Sequence, residues 1–313
     1  MNNVDKDFYN LTRKISIMTI EDVFYNIKNS FLGINQATRD SIENFFNEFN
    51  YWGTLDSKNN NYDALYKKAS TLKEHLDDFI WLYKTLSDYK SKKLLYGILN
   101  NWYSYDFNTI KPCLGTPYNH YFDLDIIPSC KDEVLVDLGA YTGDTIIDYI
   151  NTYGKDSYKK IYCYDITCDT FAKLKDNLSK YENIEYKKKA VSDKIEELYL
   201  DENTSSSSAN KVNDKGNIKL DVTILDVDIN EEISMIKMDI EGSEEKALLG
   251  SINHIKNDYP KLLISVYHDN DHLWKIPKLI SRINDDYDFY LRCYGNNIYP
   301  TEIVLFAIPK GKK

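Results

Sequence analysis

The chain shows two different patterns of apolar and polar positions. In its first third, apolar residues recur every three or four positions, as in the series Ile42, Phe45, Phe46 and Phe49 and the series Phe79, Leu82, Leu86 and Tyr89. This spacing places each series on one face of an α-helix. Glycine is scarce in this region, and Pro112 closes it. The pattern predicts four or five helices, which form an N-terminal helical domain over residues 1–115.

After this region, short apolar runs alternate with amphipathic segments, which is the pattern of βαβ units. Strands are predicted at residues 133–138, 160–164, 184–191, 235–238 and 261–266, and two extended runs, 289–294 and 302–308, close the chain. Helices are predicted from about Asp144, around residues 171–178, over 243–256 and over 273–283. Five α/β units followed by a terminal pair of strands predict an α/β fold with a seven-stranded, doubly wound, Rossmann-like sheet over residues 116–313.

A polar stretch interrupts this rhythm. Residues 204–209 contain four consecutive serines and predict a loop between two added strands, at residues 197–200 and 218–225.

Composition narrows the class of protein. The formal net charge is −10, and no Lys/Arg cluster offsets the surplus of carboxylates, which argues against nucleic acid as a partner. No apolar run is long enough for a membrane span and no basic leader precedes one, so a cytoplasmic protein is expected. The five cysteines are scattered without a zinc-ligand spacing, and no metal is predicted.

The strongest chemical signal is the sequence VDLGAYTGDT, in which a predicted strand turns into a helix. Gly139 allows the backbone to turn sharply, and Gly143 allows the helix to pack closely. The helix then begins with N–H donors that face a ligand. Because the spacing is D-x-G-x-x-x-G and not G-x-G-x-x-G, it favours a ligand with a carboxylate and an amine, such as the methionine part of S-adenosylmethionine (SAM), over a dinucleotide. A tight turn without a ligand is the alternative.

Two further segments follow neighbouring predicted strands. Asp165 ends the second strand, where acidic residues of nucleotide-binding sheets accept hydrogen bonds from ribose hydroxyls. An acid at a helix N-terminus is the simpler alternative. Residues 190–193 (AVSD) end the third strand, where an adenine would be covered, although a plain turn is equally compatible.

Acidic residues and a histidine follow the later strands. Asp239 and Glu241, in IKMDIEGSE, are two residues apart at the carboxyl end of a strand, where an acid can orient an acceptor or act as a general base. Glu244 and Glu245 are interpreted as first-turn acids that the helix dipole favours. His268 lies beyond the fifth strand and can take a proton near neutral pH.

Together these motifs resemble the FkbM family of SAM-dependent methyltransferases. The resemblance rests on VDLGAYTGDT, AVSD, IKMDIEGSEEKALLG, YPKLLISVYHDNDHLWKIPKLI, YDFYLRCYG and EIVLFAIP, and it spans about residues 121–309. It implies a class I methyltransferase sheet, SAM as cofactor, and methyl transfer to a hydroxyl of a sugar or of a cell-surface glycan precursor. The expected partner is therefore a small-molecule or glycan-linked acceptor.

The resemblance also assigns residues. The predicted cofactor-binding residues are Asp137, Gly139, Ala140, Tyr141, Gly143, Asp144, Asp165, Ile166 and Val191. The predicted catalytic residues are Asp239, Glu241 and His268. Two features depart from the family pattern. No proline follows Asp165, and Cys293 stands where many bacterial members carry a histidine. These two departures leave the identity of the acceptor open.

Three other functions stay open. An acidic crevice that combines Asp239, Glu241, Asp269 and Asp271 would suit N-methylation of an amino sugar or a glycan-linked amino acid. The chain would otherwise be an inactive SAM-binding interaction module whose helical part docks a partner. An NAD-dependent oxidoreductase is the third alternative, and the spacing of the glycine turn speaks against it. The sequence leaves the oligomeric state open.

Overall fold

The computed structural model describes residues 1–49, 51–115, 117–200, 212–213, 218–299 and 301–311, with the backbone alone at 212–213. These residues form two compact units. The first unit contains residues 1–115, 266–278 and 289–305, and the second contains 116–265, 279–288 and 306–313. The serine-rich stretch 204–209, predicted to be a loop, lies outside the described residues. The division into domains at residues 115 and 116 stays a prediction.

The helices of the N-terminal region belong to the first unit. Within its described residues they are α1 (Asn3–Ser16), α2 (Ile20–Gly33), α3 (Gln36–Phe49), α4 (Asp63–Glu74), α5 (Leu76–Thr85), α6 (Tyr89–Ser104) and the single turn α7 (Phe107–Ile110). Both α1 and α2 begin with a capping box, in which Asn2 pairs with Asp5 and Thr19 pairs with Asp22. Each such cap stabilises its helix by about 1 kcal/mol. No helix among the described residues has both the length and the apolar character needed to cross a membrane.

The apolar series from Phe79 to Tyr89 predicted a single helix, but in the structure it extends over two helices. Phe79 and Leu82 are buried on α5, but the helix ends at Leu86, whose ψ of 130° is not helical. Ser87 then donates its N–H to the carbonyl of Phe289 at 2.9 Å. Tyr89 begins α6 and is 54% exposed. The spacing of apolar residues by three or four positions therefore continues across the break between α5 and α6. A backbone hydrogen bond to a residue that is distant in sequence lies at this break.

Side-chain hydrogen bonds hold the later segments of the first unit to its helices. The indole of Trp52 donates to the carbonyl of Tyr267 at 2.9 Å. Arg292 is buried and donates to Asp88 at 2.7 Å. Because these bonds join positions that are far apart in sequence, the helical region and the later segments pack as one unit.

The strands in chain order are β1 (Glu133–Leu138), β2 (Tyr158–Tyr164), β3 (Ile184–Lys187), β4 (Ala190–Val191), β5 (Tyr199–Leu200), β6 (Val212–Asn213), β7 (Ile218–Lys219), β8 (Val222–Thr223), β9 (Met235–Met238), β10 (Lys261–Ser265), β11 (Tyr287–Cys293) and β12 (Ile303–Pro309). The remaining helices are α8 (Asp144–Tyr153), α9 (Cys168–Leu178), α10 (Leu225–Asp228), α11 (Glu244–Leu249), α12 (Ile252–Asn257) and α13 (His272–Ile283). A seven-stranded sheet has the order β11-β12-β10-β9-β1-β2-β3, which confirms the predicted sheet.

Two predicted elements are divided in the structure. The predicted strand 184–191 ends at Lys187, and β4 pairs with β8 in a separate small sheet. The predicted helix 243–256 is broken between α11 and α12. At the break, a Cβ on Gly250 would lie 2.1 Å from the carbonyl oxygen of Ser192, so the two chain segments touch there. In contrast, α13 continues through Pro277, close to its predicted bounds.

The register of the sheet brings several strand ends to the same edge. Leu138 pairs with Tyr164 of β2 on one side and with Met238 of β9 on the other, both in parallel. The residues that follow these three positions are Gly139, Asp165 and Asp239. They therefore leave the sheet side by side, at the carboxyl edge where α/β folds place their ligands.

Candidate active site

The turn after β1 is fixed to the end of β2 by backbone hydrogen bonds. Gly139 and Ala140 donate their N–H groups to the carbonyl of Tyr164 at 3.0 and 2.9 Å. Gly139 has a φ of +81°, and a Cβ there would lie 1.9 Å from the carbonyl oxygen of Asp239. Glycine is therefore required by left-handed backbone and by close approach to the segment after β9.

The next glycine sets the start of α8. Gly143 has a φ of +86°, and a Cβ there would lie 2.9 Å from Cγ of Leu178 on α9. The helix begins at Asp144, and no side chain caps it. The N–H donors of its first turn are thus left without a side-chain acceptor, as an anion-binding helix terminus requires.

Asp165 joins the turn after β1 to the start of α9. Its Oδ2 accepts the N–H of Tyr141 at 2.9 Å. Its Oδ1 accepts the N–H of Thr167 at 3.0 Å and the hydroxyl of Thr170 at 2.7 Å. Burial raises the pKa of Asp165, and these hydrogen bonds oppose the rise. Because Oδ2 accepts one of these three bonds, it keeps the capacity to accept another from a ligand.

Two further predicted cofactor-binding residues, Ile166 and Val191, are apolar. Ile166 packs against a cluster that contains Leu200 and Val222. Val191 is buried on β4 and pairs with Thr223. Ile166 thus adds apolar surface next to Asp165, and Val191 lies in the small sheet formed by β4 and β8.

An ion pair lies beneath the turn. Nζ of Lys237 lies 2.9 Å from Oδ1 of Asp137 and donates to the carbonyl of Gly139 at 2.8 Å. Asp137 is fully buried and Lys237 is 2% exposed. Burial raises the pKa of Asp137, and the ammonium of Lys237 opposes that rise. Burial lowers the pKa of Lys237, but the charges of Asp137 and Asp239 outweigh it and raise the pKa. Asp137 therefore contacts the turn through Lys237, a residue that the sequence analysis did not single out.

A hydrogen-bonded chain of side chains reaches Asp239. The hydroxyl of Tyr121 donates to Oδ2 of Asp239 at 2.6 Å and lies 3.0 Å from the hydroxyl of Ser265. The ring of His120 stacks on Tyr121 with centroids 4.0 Å apart. Burial lowers the pKa of His120 to about 4, so this histidine is neutral at pH 7. The sequence analysis missed His120 and Tyr121 because they lie in a segment without periodicity.

The loop after β9 is held by a buried acid. Oε1 of Glu244 accepts the N–H of Ile240 at 3.0 Å and lies 3.5 Å from the N–H of Gly242. Glu244 has no exposed surface, so a first-turn acid that serves only the helix dipole is the wrong interpretation for it. Glu241 lies between these donors with a left-handed φ of +56°. Glu244 therefore sets the conformation of the loop that carries Asp239 and Glu241.

The third predicted catalytic residue belongs to the first unit. His268 is buried, and its ring meets that of Tyr51 edge-on at a centroid distance of 5.2 Å. Asp271, from the predicted acidic crevice, accepts the hydroxyl of Thr71 at 2.9 Å and the indole of Trp274 at 3.3 Å. Asp269 accepts the N–H of Asp271 at 2.8 Å. Asp269 and Asp271 thus support the first unit, while Asp239 and Glu241 belong to the second.

The sheet order, with an acid, a glycine turn and a second acid at the strand ends, is the arrangement of the methyltransferase fold. The sequence profile described as "Methyltransferase FkbM domain" matches residues 137–296, just over half of the chain. The chain therefore belongs to the FkbM methyltransferase family, as its motifs indicate. No curated protein sequence matches it.

Of the solved structures that resemble this chain, the first described here shows the same fold. The crystal structure of Methyltransferase FkbM from Methylobacillus flagellatus KT aligns with a TM-score of 0.64 and 24% identity, over 76% of this chain and 60% of that one. An rRNA methylase from Streptococcus thermophilus aligns with a TM-score of 0.38 and 16% identity, over 58% of this chain and 90% of that one. A precorrin-6y C5,15-methyltransferase from Geobacter metallireducens GS-15 gives 0.37 and 13%, over 58% and 82% of the two chains. The chain thus spans 60% of the length of the Methylobacillus protein.

Proposed function

We propose that this methyltransferase uses SAM and methylates a hydroxyl of a sugar or of a cell-surface glycan precursor. The observation that carries the cofactor proposal is the turn of residues 139–143, which Asp165 binds on one side and which leads into the uncapped start of α8 on the other. A carboxylate suits the N–H donors of α8, and a ribose hydroxyl suits Oδ2 of Asp165. Both groups occur in SAM, so the donor set fits this cofactor.

The remaining predicted cofactor-binding residues have supporting roles in this proposal. Asp137 holds Lys237, and Lys237 holds the carbonyl of Gly139, so this pair keeps the turn in its conformation. Tyr141 is 42% exposed beside Asp165, where its ring can cover a bound nucleoside. Ile166 offers apolar surface next to Asp165, and Val191 on β4 is our candidate for covering the adenine.

When bound, SAM supplies an electrophilic methyl group on its sulfonium. The chain must then orient the acceptor oxygen and accept its proton as the new bond forms. Oδ2 of Asp239 is our candidate for the proton acceptor, and the 2.6 Å hydrogen bond from Tyr121 fixes its orientation. Glu241 is our candidate for orienting the acceptor. His268 is kept as a candidate base because an imidazole takes up protons near neutral pH.

The contacts of Asp269 and Asp271 favour a hydroxyl acceptor over an amine. An acidic crevice for a cationic amine was predicted from four carboxylates, but the first unit uses two of them for its own hydrogen bonds. The case for amine binding is correspondingly weaker.

The cofactor proposal is tested by calorimetric titration of SAM into the full chain and into the Asp165→Ala variant. The wild type should bind SAM with micromolar affinity. Loss of a charged hydrogen-bond acceptor should weaken binding by about tenfold or more. Asp156→Ala, which removes an exposed acid of the same unit, serves as the control and should bind like the wild type. Equal binding by wild type and Asp165→Ala would contradict the assignment, and binding of NAD in place of SAM would overturn the cofactor.

The acceptor is tested by mass spectrometry of surface glycans from a strain that lacks the gene. The proposal expects the loss of one methyl group from a sugar oxygen, restored by the wild-type gene but not by an Asp239→Ala variant. Loss of a methyl group from nitrogen would redirect the assignment to the amine alternative. An unchanged glycan profile would contradict a glycan acceptor.

A further inference from the structure

The segment of residues 117–132, which precedes β1, reaches the candidate active site from outside the part of the chain that the family profile matches. Phe122 and Ile127 in this segment are buried. The ring of Phe122 meets that of Tyr149 on α8 edge-on, at a centroid distance of 5.5 Å. The carbonyl of Ile127 accepts the hydroxyl of Tyr153, on the same helix, at 2.8 Å. The segment is therefore fixed against α8, although its backbone is irregular.

The backbone at Tyr121, within this segment, adopts a conformation that tyrosine seldom takes. Its φ is +69°, in the left-handed region, which is unfavourable for a residue with a Cβ. Such a conformation persists where the surrounding structure holds it, and it is concentrated at functional sites. The side chain of Tyr121 is 3% exposed, so it points into the fold and not to solvent.

The hydroxyl of Tyr121 connects the ends of two adjacent strands, β9 and β10. It donates to Oδ2 of Asp239, which follows β9, at 2.6 Å. It also lies 3.0 Å from the hydroxyl of Ser265, the last residue of β10. A phenol donates one hydrogen bond and can accept another, so it can bond to both neighbours at once when Ser265 donates. The oxygen that binds Asp239 is thus held by the neighbouring strand as well.

The ring of Tyr121 contacts the lysine that lies beneath the cofactor turn. Nζ of Lys237, which donates to the carbonyl of Gly139, lies 5.4 Å from the ring centroid. The face of an aromatic ring attracts a cation at this distance. The ring of His120 stacks on that of Tyr121, with an angle of 7° between the two planes. Tyr121 therefore contacts Lys237 on the cofactor side and Asp239, the candidate proton acceptor.

We infer that Tyr121 is a positioning residue for methyl transfer, and that its hydroxyl and its ring have separate tasks. The hydroxyl fixes the carboxylate of Asp239 relative to Ser265, so that the carboxylate meets the acceptor oxygen in one orientation. The ring packs against Lys237 and His120 and needs no hydroxyl to do so. Loss of the hydroxyl should therefore slow the chemical step without changing cofactor affinity. This inference rests on the proposed function, because it takes Asp239 as the proton acceptor.

The test compares the full chain with the variants Tyr121→Phe and Tyr287→Phe. Tyr121→Phe removes the hydroxyl and keeps the ring. Tyr287 is the matched control, because it is also 3% exposed and its hydroxyl donates to the carbonyl of Pro260 at 3.0 Å. Calorimetric titration measures the binding of SAM to each protein. Transfer of a labelled methyl group from SAM to an extract of cells that lack the gene measures the reaction before the acceptor is identified.

All three proteins should bind SAM with similar affinity. At saturating SAM, Tyr121→Phe should transfer the methyl group at least about tenfold more slowly than the wild type, with an unchanged KM for SAM, because the orientation of Asp239 is lost. Tyr287→Phe should keep the wild-type rate. A wild-type rate for Tyr121→Phe would show that the hydroxyl serves stability alone, and it would overturn the inference without affecting the proposed function.

The remaining outcomes separate the inference from the proposed function. No SAM binding or no methyl transfer by the wild type would contradict both. Weaker SAM binding by Tyr121→Phe, to the same extent as its loss of rate, would place the hydroxyl in cofactor binding and overturn the inference alone. If Tyr121→Phe does not fold, Ser265→Ala replaces it. This variant should bind SAM normally and transfer the methyl group about threefold more slowly, because the Tyr121 hydroxyl loses its second partner. An unchanged rate would overturn the inference.

Discussion

At the scale of single residues, the pair between Asp137 and Lys237 should carry much of the local stability. Both are almost fully buried, and removal of one member leaves the other as an uncompensated charge. Lys237→Met should therefore lower the free energy of unfolding by about 3 kcal/mol or more. Urea unfolding monitored by circular dichroism would measure this loss.

A matched control is Lys246→Met, which breaks an ion pair of 3.1 Å with Glu196 in which the lysine side chain is 50% exposed. Such surface pairs contribute about 0–1 kcal/mol. If both variants lowered the free energy of unfolding by a similar amount, burial would not make the pair of Asp137 and Lys237 more stabilising than a surface pair.

Glu244 is expected to act on the reaction by shaping the loop after β9. Glu244→Ala removes the acceptor of the Ile240 N–H and should lower kcat more than it changes the KM for SAM, because Asp239 loses its fixed position. A loss of about tenfold or more in kcat is expected. Steady-state kinetics would measure it once an acceptor is known.

Glu245→Ala is the control for the helix dipole, since both acids lie in the first turn of α11. The dipole interaction of a first-turn acid is worth about 0.3–1 kcal/mol, so this variant should retain most of its activity. An equal fall in kcat for both variants would refute the role of Glu244 in the loop.

The sequence predicted the residues at the strand ends better than it predicted their partners. Asp137, Gly139, Asp165 and Asp239 stand out because strand ends and glycine turns are local patterns. Lys237 was missed, although a lysine inside the apolar run MIKM is itself a sign of a buried counter-charge. Tyr121 could not be found, because its contact with Asp239 depends on tertiary folding. The catalytic and cofactor roles of all these residues stay predictions.

At the scale of elements, the close approach of the turn after β1 to the segment after β9 makes Gly139 irreplaceable. A methyl group at Gly139 would lie 1.9 Å from a backbone oxygen, which cannot move without a shift of β9. Gly139→Ala should cost about 3 kcal/mol or more, or prevent folding. Thermal unfolding and the soluble yield would measure the effect.

Gly115→Ala separates steric clash from backbone strain. Gly115 also has a positive φ, +72°, but no atom lies within 4 Å of the added methyl group. Its substitution should cost about 1 kcal/mol, the strain of left-handed backbone alone. An equally mild effect at Gly139 would mean that the two segments are not in tight contact.

A second link between elements should make stability depend on pH. Asp228, at the end of α10, accepts the hydroxyl of Tyr164 on β2 at 2.6 Å and pairs with Lys187 of β3 at 3.0 Å and Lys189 at 2.7 Å. Burial alone would raise the pKa of Asp228, but Lys189, Tyr164 and Lys187 together lower it to about 2. Because the folded-state pKa lies below the unfolded-state value, the stabilisation is present above about pH 4 and is lost as the pH falls through about 2.

The Asp228 contribution should be about 2 kcal/mol near neutral pH. Asp228→Asn should lower the free energy of unfolding by that amount at about pH 6, and the difference from wild type should shrink towards pH 2. Asp156→Asn, at an exposed site of the same unit, should show no such trend. A constant difference for Asp228→Asn across this range would contradict the pKa assignment.

The elements that the sequence predicted well are those that local pattern alone decides. Apart from β3, the strands of the main sheet and α13 are apolar or amphipathic over their whole length, and their bounds are close to the predicted ones. The errors occur where a distant segment interrupts a continuous pattern. Ser192 breaks the predicted helix at Gly250, and Phe289 ends α5 at Leu86. Such contacts depend on tertiary structure, so the spacing of apolar residues cannot reveal them.

At the scale of the whole molecule, charge should keep this methyltransferase away from nucleic acids. The formal net charge is −10, from 39 basic and 49 acidic residues. The single basic run, residues 187–189, is engaged within the fold, since Lys187 and Lys189 pair with Asp228 and Lys188 lies 2.8 Å from the sulfur of Cys168. Counterion release from phosphates, which drives nonspecific nucleic-acid binding, requires clusters of available cations.

The full chain should therefore show no saturable binding to ribosomal RNA or duplex DNA at about 0.15 M salt, up to protein concentrations of about 10⁻⁵ M, in fluorescence anisotropy. Asp228→Asn removes one negative charge and the partner of two lysines, so it is the variant most able to reveal hidden affinity. It should also fail to bind, because the remaining surplus of carboxylates still repels the phosphates. Micromolar binding by the wild type that weakens steeply with salt would make an RNA acceptor the better hypothesis. The absence of such binding would restrict the search to acceptors that an acidic protein does not repel.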